Sequence, residues 1–462
     1  MIPIPTAEGK GAPNLLLATL VLGTLLWIFT TTGGRQIFVN EMLSEAYDSQ
    51  AEHFLRGNVD VDGDAIRHEA MIVNGKARMY FGPFPAFVRL PLNYIYPTGR
   101  GHWSRITGFC AGMIALAAFA GLIRIGLRSS QLSSRWKHVL GNVCMVGFAF
   151  ASPLLLLLGN LSIYDEAIVW ALAWSLTALY FAYRCRTAEG CALTLCLLGF
   201  SFCAGAALLS RLTFGAPFLL IAPVLAFSLL RKNRIRNLAV LFLPLAAALL
   251  FHFLLSYAKF GNFRGEGFDH YVNGPQREFT QKHGFFRPER VPYSFAEYFV
   301  LRYPEFQRTP PFLKAWRHPY DYPTLYAMPF TEISSSLLWC SSWILLGAVI
   351  GMGRLFRPNA SDWVDRAIAA ILFIEVIGIM SVPAVIQRYT AEFFPFLIFA
   401  FVLFLRQGSA VFRMRYVLIA LVLVSAIINS LTTVSWLVDT DLNVPDKTRN
   451  QWKAFLGRGS PH

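Results

Sequence analysis

Charge is scarce in this sequence: only 15% of its 462 residues are Asp, Glu, Lys or Arg, against about 25% in ordinary globular chains. With 55% apolar side chains and a mean hydropathy of +0.47, a secreted, cytosolic or disordered chain is excluded. Cysteine is sparse as well. The seven cysteines fall within apolar runs or beside short basic loops, none as a CxxC pair, which excludes a disulfide framework and a zinc pair. Neither GxxxxGK[ST] nor a Rossmann glycine pattern occurs, so direct use of ATP or nucleotide-sugars is not expected. Forty-one Lys and Arg against 27 Asp and Glu give a net charge of +14. In a soluble protein this would suggest nucleic acid, but sorting the charge by membrane side removes that partner.

What is abundant is apolar runs. Windows of about 20 residues predict eleven membrane helices, beginning near residues 13, 103, 138, 165, 191, 213, 238, 335, 364, 390 and 416. Asn14 to Thr32 reads as a retained first span, since no small-residue cleavage pattern follows it. Ser210-Arg211-Leu212-Thr213 and Gln387-Arg388-Tyr389 are read as the turns of tight hairpins. With the N-terminus cytoplasmic, alternate loops carry Arg128, Arg135 and Lys137; Arg184 and Arg186; Arg231, Lys232, Arg234 and Arg236; Arg354 and Arg357; and Arg406, Arg413 and Arg415. Cytoplasmic loops should be basic in this way, and shifting the count by one helix destroys the alternation. The expected organisation is an all-α polytopic membrane protein. It has an N-terminal module (1–257) with a first outer loop (33–102), a second outer loop (258–334), C-terminal helices (335–438) and an outer tail (439–462). Nearly all carboxylates gather in the outer segments, so chemistry is expected on the face away from the cytoplasm.

Glu41, Glu45, Asp48 and Glu52 recur at i, i+4, i+7 and i+11, one stripe of a helix. The expectation is an amphipathic helix at the membrane surface, apolar face down and acid face up. A charge run reads first as a solvated face; its place beside the membrane brings a functional reading close. Like charges so spaced cost about 0.2–0.5 kcal/mol per pair, so the stripe calls for a raised-pKa carboxylate, a cation or a basic partner. Asn74-Gly75 within Met71–Ala77 signals a two-residue hairpin. Asp60, Asp62 and Asp64 imitate a calcium loop, but Met71 stands where the closing Glu belongs, and they are read as a polar turn.

Arg211 and Arg388 lie at the outer edge, where the positive-inside bias disfavours arginine, and Lys259 and Arg264 extend the same rim. Four unneutralised cations on one rim point to an anion site, and a guanidinium fork suits phosphate. Pairing with carboxylates such as Glu392, or contact with lipid headgroups, is the alternative for any one of them. Asp165 and Glu166 open a helix, where the dipole alone accounts for acids. Glu375 is an intramembrane acid, and His53 is read as a surface histidine or a metal ligand or base.

Taken in order, several segments resemble the GT-C membrane glycosyltransferases that use polyprenyl-phosphate sugars, in particular the RgtA/B/C/D-like and family-39-related members. In the first outer loop these are Tyr47-Asp48 with Gln50-Ala51-Glu52 and Leu55-x-Gly57, then Tyr80-Phe81-Gly82-Pro83-Phe84-Pro85. Later come Tyr164-Asp165-Glu166-Ala167, Leu209-Ser210-Arg211-Leu212-Thr213-Phe214, Tyr257-Ala258-Lys259-Phe260-Gly261-Asn262-Phe263, and Gln387-Arg388-Tyr389 with Glu392 and Pro395. The resemblance implies an inverting transferase acting on the outer face, whose donor is a sugar on a lipid phosphate. Asp48 falls on the catalytic acid position. Tyr47 precedes it where many members carry a second acid or a His, which leaves open whether Glu45 shares the work and whether a divalent cation takes part; no other cofactor is expected. No Trp-Trp-Asp of oligosaccharyltransferase type is present, so a single sugar is the expected cargo.

The residues fit that chemistry on their own terms. A sugar hydroxyl needs a base to take its proton as it attacks the anomeric carbon, and Asp48 is the first choice. The departing lipid phosphate needs cations: Arg388 first, then Arg211, Lys259 and Arg264. Tyr47, Glu52, Asp165, Glu166, Tyr389 and Glu392 make up the expected substrate-binding set. Partners are then the lipid-linked sugar, a glycan or lipid acceptor, and membrane lipids. The second outer loop, with a surface helix expected over Tyr293–Phe306, would cover the site. Sparse cysteines and no evident eukaryotic retention signal point to a bacterial inner membrane. Two other classes compete: a transporter or lipid flippase, for which an inverted repeat and charge pairs within spans would be expected, and a noncatalytic envelope scaffold.

Overall fold

A computed structural model of the chain describes residues 12–229, 234–265, 268–314, 330–332, 334–356, 363–440 and 443–459. Arg231, Lys232, Arg357 and positions 315–329 of the second loop lie outside the described residues, as does the side chain of Arg234. A helix stands on each of the eleven apolar runs. They are α1 (Leu16–Thr30), α4 (Ser104–Arg128), α5 (Ser134–Phe150) with its continuation α6 (Pro153–Gly159), α7 (Ile163–Cys185), α8 (Gly190–Ser210), α9 (Leu212–Leu229), α10 (Arg234–Phe260), α11 (Ser342–Leu355), α12 (Trp363–Met380), α13 (Phe394–Leu405) and α14 (Gly408–Asp439). Two more, α2 (Glu45–Leu55) and α3 (Phe84–Ile95), lie in the first loop, and α15 (Asp446–Phe455) in the tail.

Among the described residues, seven helices are long and apolar enough to cross a membrane, or eight if the pair bent by 43° between α5 and α6 is one span. That bend has a local cause. Pro153 occupies the first turn of α6, where its missing N–H is harmless, and Ser152 Oγ accepts from Leu154 N at 3.1 Å. α1 and α11 are shorter, with 15 and 14 residues, and α12 carries Asp365, Arg366 and Glu375. The surface of α10 shows what medium the bundle needs: only 17% of its apolar window is buried, and Leu243, Leu250 and Leu254 are exposed. Covering such a helix with hydrocarbon removes the penalty that water would impose.

Within the bundle, small residues let backbones approach, as in membrane helix packing generally. The Cβ that Gly351 lacks would fall 1.9 Å from the Ala400 carbonyl oxygen, so α11 and α13 touch backbone to backbone there. α8 and α9 reverse over Arg211 alone, in extended backbone (φ −157°, ψ 121°), and Leu208 then lies against Gly215; the expected tight hairpin is present. The second expected hairpin is longer. Residues 381–393 intervene between α12 and α13, as β4 (Ala384–Ile386) paired parallel to β3 (Phe330–Glu332) and a 3-10 turn over Gln387–Phe393.

The two ends of the bundle differ in charge chemistry. At one, Asp365 at the start of α12 bridges Arg186, just past α7, and Arg406, just past α13, and Gly408 abuts Gln131. These are the basic connections that alternate along the sequence. At the other end stand the first loop, the described part of the second loop and the tail. The first loop includes the expected hairpin, β1 (Met71–Val73) with β2 (Lys76–Arg78), turned by Asn74 and Gly75 at φ +52° and +74°. Val272 N donates to Ala70 O, and Gln36 Nε2 to Lys447 O, so all three segments are stitched together. In the second loop the helical stretch covers Val291–Phe295 and Ala296–Leu301 and stops short of Phe306.

Because Gly351 abuts a backbone oxygen that cannot rotate away, Gly351→Ala should destabilise the purified protein by about 1–3 kcal/mol. Gly353→Ala, with open space around it, should be neutral or slightly stabilising as a helix-interior Gly→Ala change. Thermal unfolding in detergent measures both; equal midpoints for the two variants would contradict the close α11–α13 contact.

Candidate functional site

α2 begins at Glu45, so the acidic stripe is broken: Glu41 precedes the helix and pairs with Arg105 at 2.6 Å. Nor does α2 lie with its acids toward water. Every residue from Ala46 to Ala51 is buried, because the return of the chain through Pro97–Trp103 covers the acid side. Gly101, at φ +80°, is the keystone: its N–H donates to Asp48 Oδ2 at 3.1 Å, its carbonyl accepts from Ser44 Oγ at 2.6 Å, and its bare Cα packs on Glu45 Cγ. Glu45 accepts from Asn40 Nδ2 at 2.8 Å, and Glu52 pairs with Arg100 at 2.8 Å and Arg56 at 3.8 Å. The basic partners that the stripe called for are thus present for Glu41 and Glu52. Asp48 is fully buried and, among the described residues, meets no cation directly; its Oδ1 lacks a hydrogen-bond partner there, as do Glu41 Oε2 and both amide atoms of neighbouring Gln50.

The apolar side of α2 anchors it on α7. Tyr47 Oη donates to Ile163 O at 3.2 Å; burial, with Glu166 second, pushes the Tyr47 phenol well above its ordinary value, so it stays a neutral donor. Next along α7, Glu166 is fully buried within electrostatic reach of Asp48. Arg89 of α3 donates from one Nη2 to both its oxygens at 2.8 and 2.7 Å, and Ser104 Oγ and Thr107 Oγ1 add bonds at 2.7 Å each. Glu166 is therefore saturated with donors. Asp165 accepts from Ser162 Oγ at 2.5 Å and lies in the field of Arg388.

The four rim cations are not equivalent, and two of them, Arg211 and Arg388, have carboxylate partners. Arg211 pairs with fully buried Glu392 at 2.7 Å and stacks over Tyr389 at 5.0 Å. Arg388 lies over the Tyr164 ring at 4.7 Å and beside Tyr389 at 5.8 Å, with Glu332 at 3.5 Å. Tyr389 is thus shared by the two guanidiniums. Lys259 Nζ, buried, donates to Met79 O at 2.7 Å, which ties the end of α10 to the first loop. Arg264 is exposed on the turn beyond α10 and is not brought into the cluster. Between the acid and cation sides the link is Tyr47, whose hydroxyl feels both Glu166 and Arg211. The first loop also packs on the end of α8 just before Arg211: Gly82 passes so close that a Cβ would fall 2.2 Å from Leu209 O.

One centre escaped sequence reasoning. Glu69, 5% exposed, accepts from Tyr80 Oη and Tyr164 Oη at 2.6 Å each, and Tyr271 of the second loop, edge-on to the Tyr80 ring at 6.3 Å, lies in the field of its charge. Burial, then the charge of Glu69, pushes the Tyr80 and Tyr271 phenols far upward, so both remain donors. Tyr164 carries Glu69 on its hydroxyl and Arg388 on its ring face, which joins this cage to the cations. Its three tyrosines come from positions 80, 164 and 271, and no local pattern around His68-Glu69 announces them. His53, by contrast, is a clip between Asp60 at 3.7 Å and Asp62 at 3.3 Å. The hydrogen bond from Ser49, foremost, holds the Asp62 carboxyl below its ordinary value. Among the described residues no group of three or more His, Cys, Asp or Glu could hold a metal ion. Glu375 is buried in α12, and among the described residues both its oxygens lack hydrogen-bond partners; it lies in the field of Glu392 and Arg211.

Such a centre can accept a proton at Asp48, hold an anion at Arg388 and Arg211, and exclude water over much of its extent. No family model matches the chain, and searches of curated proteins and of solved structures find no match either.

Arg89→Ala strands Glu166 as a buried, uncompensated charge and should cost about 3–5 kcal/mol, whereas Arg89→Met with Glu166→Leu should recover most of that loss. Unfolding midpoints of the two purified variants test this. A double variant no more stable than the single one would show that the pair does not act as a unit.

Proposed function

We propose that the chain is a membrane glycosyltransferase of GT-C type, transferring one sugar from a polyprenyl-phosphate donor to a glycan or lipid acceptor with inversion. The observation that carries this reading is a first-loop carboxylate, Asp48, fully buried with one oxygen unengaged, at the same pole as two arginines that share one tyrosine. Asp48 takes the proton of the acceptor hydroxyl as that oxygen attacks the anomeric carbon. The bond from that carbon to the phosphate oxygen breaks, and the lipid phosphate departs with the electron pair. Positioned base catalysis of this kind contributes about 10²–10⁴-fold. Arg388 and Arg211 stabilise the charge that develops on the leaving phosphate. The eleven helices supply the spans, with the basic pole cytoplasmic and the loop pole facing the periplasm or exterior of a bacterial inner membrane. Glu45 and Glu52, engaged with Asn40 and Arg100, shape the pocket wall around Asp48. Tyr47, Asp165, Glu166, Tyr389 and Glu392 line or brace the substrate site, and Arg264 serves at most as an outer cation for the arriving donor.

One observation favours a second reading. A carboxylate without a hydrogen-bond partner inside an apolar helix, as Glu375 is, is what a proton-coupled lipid or glycan carrier uses.

Incubating the purified protein with a panel of lipid-phosphate sugars and weighing the products decides between the two. Asp48→Asn should lower product formation by about 10²–10⁴-fold at normal expression; undiminished product would remove Asp48 as base, and no product from wild-type protein with any donor would favour the carrier. Arg388→Ala removes charge-assisted hydrogen bonds of about 1.5–3 kcal/mol, so titration of a polyprenyl-phosphate sugar should show about 10–100-fold weaker binding. Unchanged affinity would take Arg388 out of the site.

A further inference from the structure

At the pole opposite the candidate site, α5 and α14 begin side by side and run parallel: Trp136 meets Tyr416 at 5.7 Å, and one helix length further on Asn429 Nδ2 donates to Phe150 O at 2.7 Å. Their first two turns and the end of α4 carry Arg128, Arg135, Lys137, Arg413 and Arg415; Lys137 Nζ donates to Arg128 O at 3.4 Å, and the Arg415 guanidinium lies 5.0 Å from the Trp136 ring of the facing helix. No Asp or Glu occurs anywhere in 124–140 or 406–417, and Arg135, Lys137, Arg413 and Arg415 make no ion pair among the described residues. This differs from the neighbouring basic connections, where Asp365 neutralises Arg186 and Arg406. Arg415 is held upright by rings, its guanidinium 3.8 Å from the Phe412 centroid, 4.5 Å from Tyr416 and 5.0 Å from Trp136. Phe412 and Tyr416 are themselves exposed, at 46% and 61%. Aromatic rings beside cations in this way mark the headgroup level of a membrane.

Further along the same seam is an open apolar groove of about 370 Å³, lined by Phe150 of α5 and by Leu423, Ala426, Ile427, Ser430 and Leu431 of α14. At 1.5 Å per residue, it lies about 12–24 Å along α14 from Arg415, the depth that an acyl chain reaches below its phosphate. A cationic, aromatic-rimmed headgroup level and a shallow, open apolar surface one acyl length beneath it, on one pair of helices, have the order of parts of a phospholipid. We infer that the α5–α14 seam is a binding site for one anionic diacyl phospholipid, with the phosphate at Arg135, Lys137, Arg413 and Arg415 and an acyl chain in the groove. The negative potential of the cytoplasmic leaflet, worth about 1 kcal/mol per basic residue near the surface, draws the same lipid class to this pole. The inference stands independently of the transferase reading, since nothing in the seam touches Asp48, Arg211 or Arg388.

The test is native mass spectrometry of the full-length protein, with thermal unfolding in mixed micelles, on adding phosphatidylglycerol, phosphatidylcholine or polyprenyl phosphate. Phosphatidylglycerol should be retained as a discrete adduct and raise the unfolding midpoint, while phosphatidylcholine should do neither. R135Q/K137Q/R413Q should lower the population of the adduct at least tenfold. Ile427→Trp, which fills the groove and leaves the charge unchanged, should also lower it. Equal retention of phosphatidylcholine, or full retention by both variants, would overturn the inference. Preference for polyprenyl phosphate over phosphatidylglycerol would overturn it too, since the seam would then be a site for a single-chain lipid phosphate. The variants leave the candidate catalytic residues intact, so loss of the adduct with transfer unchanged separates this site from the proposed reaction.

Discussion

A charge placed among apolar helices must be met by an opposite charge or by enough hydrogen bonds, since leaving it alone costs several kcal/mol. That requirement organises the loop pole. Arg89 reaches from the first loop to Glu166 of α7, Arg105 from the top of α4 to Glu41, and Arg211 from the α8–α9 turn to Glu392 before α13. Each pair joins segments between 64 and 181 residues apart. Such pairs add little net stability compared with apolar packing, but a misplaced loop would strand both members. They act as a register that admits one arrangement of the two loops over the helix ends.

Against that background the groups left without partners stand out. Glu166 has four donor contacts, whereas Asp48, close enough to feel its charge, has one N–H on one oxygen and nothing on the other. Gln50 is fully enclosed with its amide unengaged. A fold whose surroundings place donors on both oxygens of Glu69 and of Glu166 has the means to satisfy Asp48 as well. That it does not is what a proton acceptor needs: an oxygen already holding its donors is a poor base.

How far the sequence was legible follows from the range of the forces involved. Apolar periodicity is local, and a helix lies on each apolar run; the Asn74-Gly75 hairpin and the reversal at Arg211 were equally readable, since a turn depends on a few adjacent residues. The alternation of basic loops carried enough information to foretell that Arg186 and Arg406 would share an end of the bundle. Partnerships were not legible. The stripe through Glu41 and Glu52 pointed to a surface helix because helical spacing says nothing about what covers the helix, and here the 97–103 return buries it. Nothing in the sequence singled out Glu69, for the tyrosines around it are brought in by tertiary folding. The alternative that a rim cation pairs with a carboxylate such as Glu392 holds for Arg211, while the unforeseen β3–β4 pairing delivers a different acid, Glu332, to Arg388.

That exchange of partners also ranks the two arginines as phosphate ligands. Arg211 is bound at 2.7 Å to a carboxylate with no exposure to solvent, and a phosphate recruiting it would have to share its donors with a charge that cannot rehydrate. Arg388 meets a half-buried carboxylate at 3.5 Å, long for a charge-assisted bond, and is held chiefly by two tyrosine faces. Ring faces fix a guanidinium without consuming its N–H donors, which leaves the edge free for an oxyanion. Glu332, on a short strand of the second loop, is the easier of the two acids to displace. On the transfer reading, Arg388 is therefore the residue that takes the phosphate, and Arg211 the fixed charge that holds Tyr389 in position behind it.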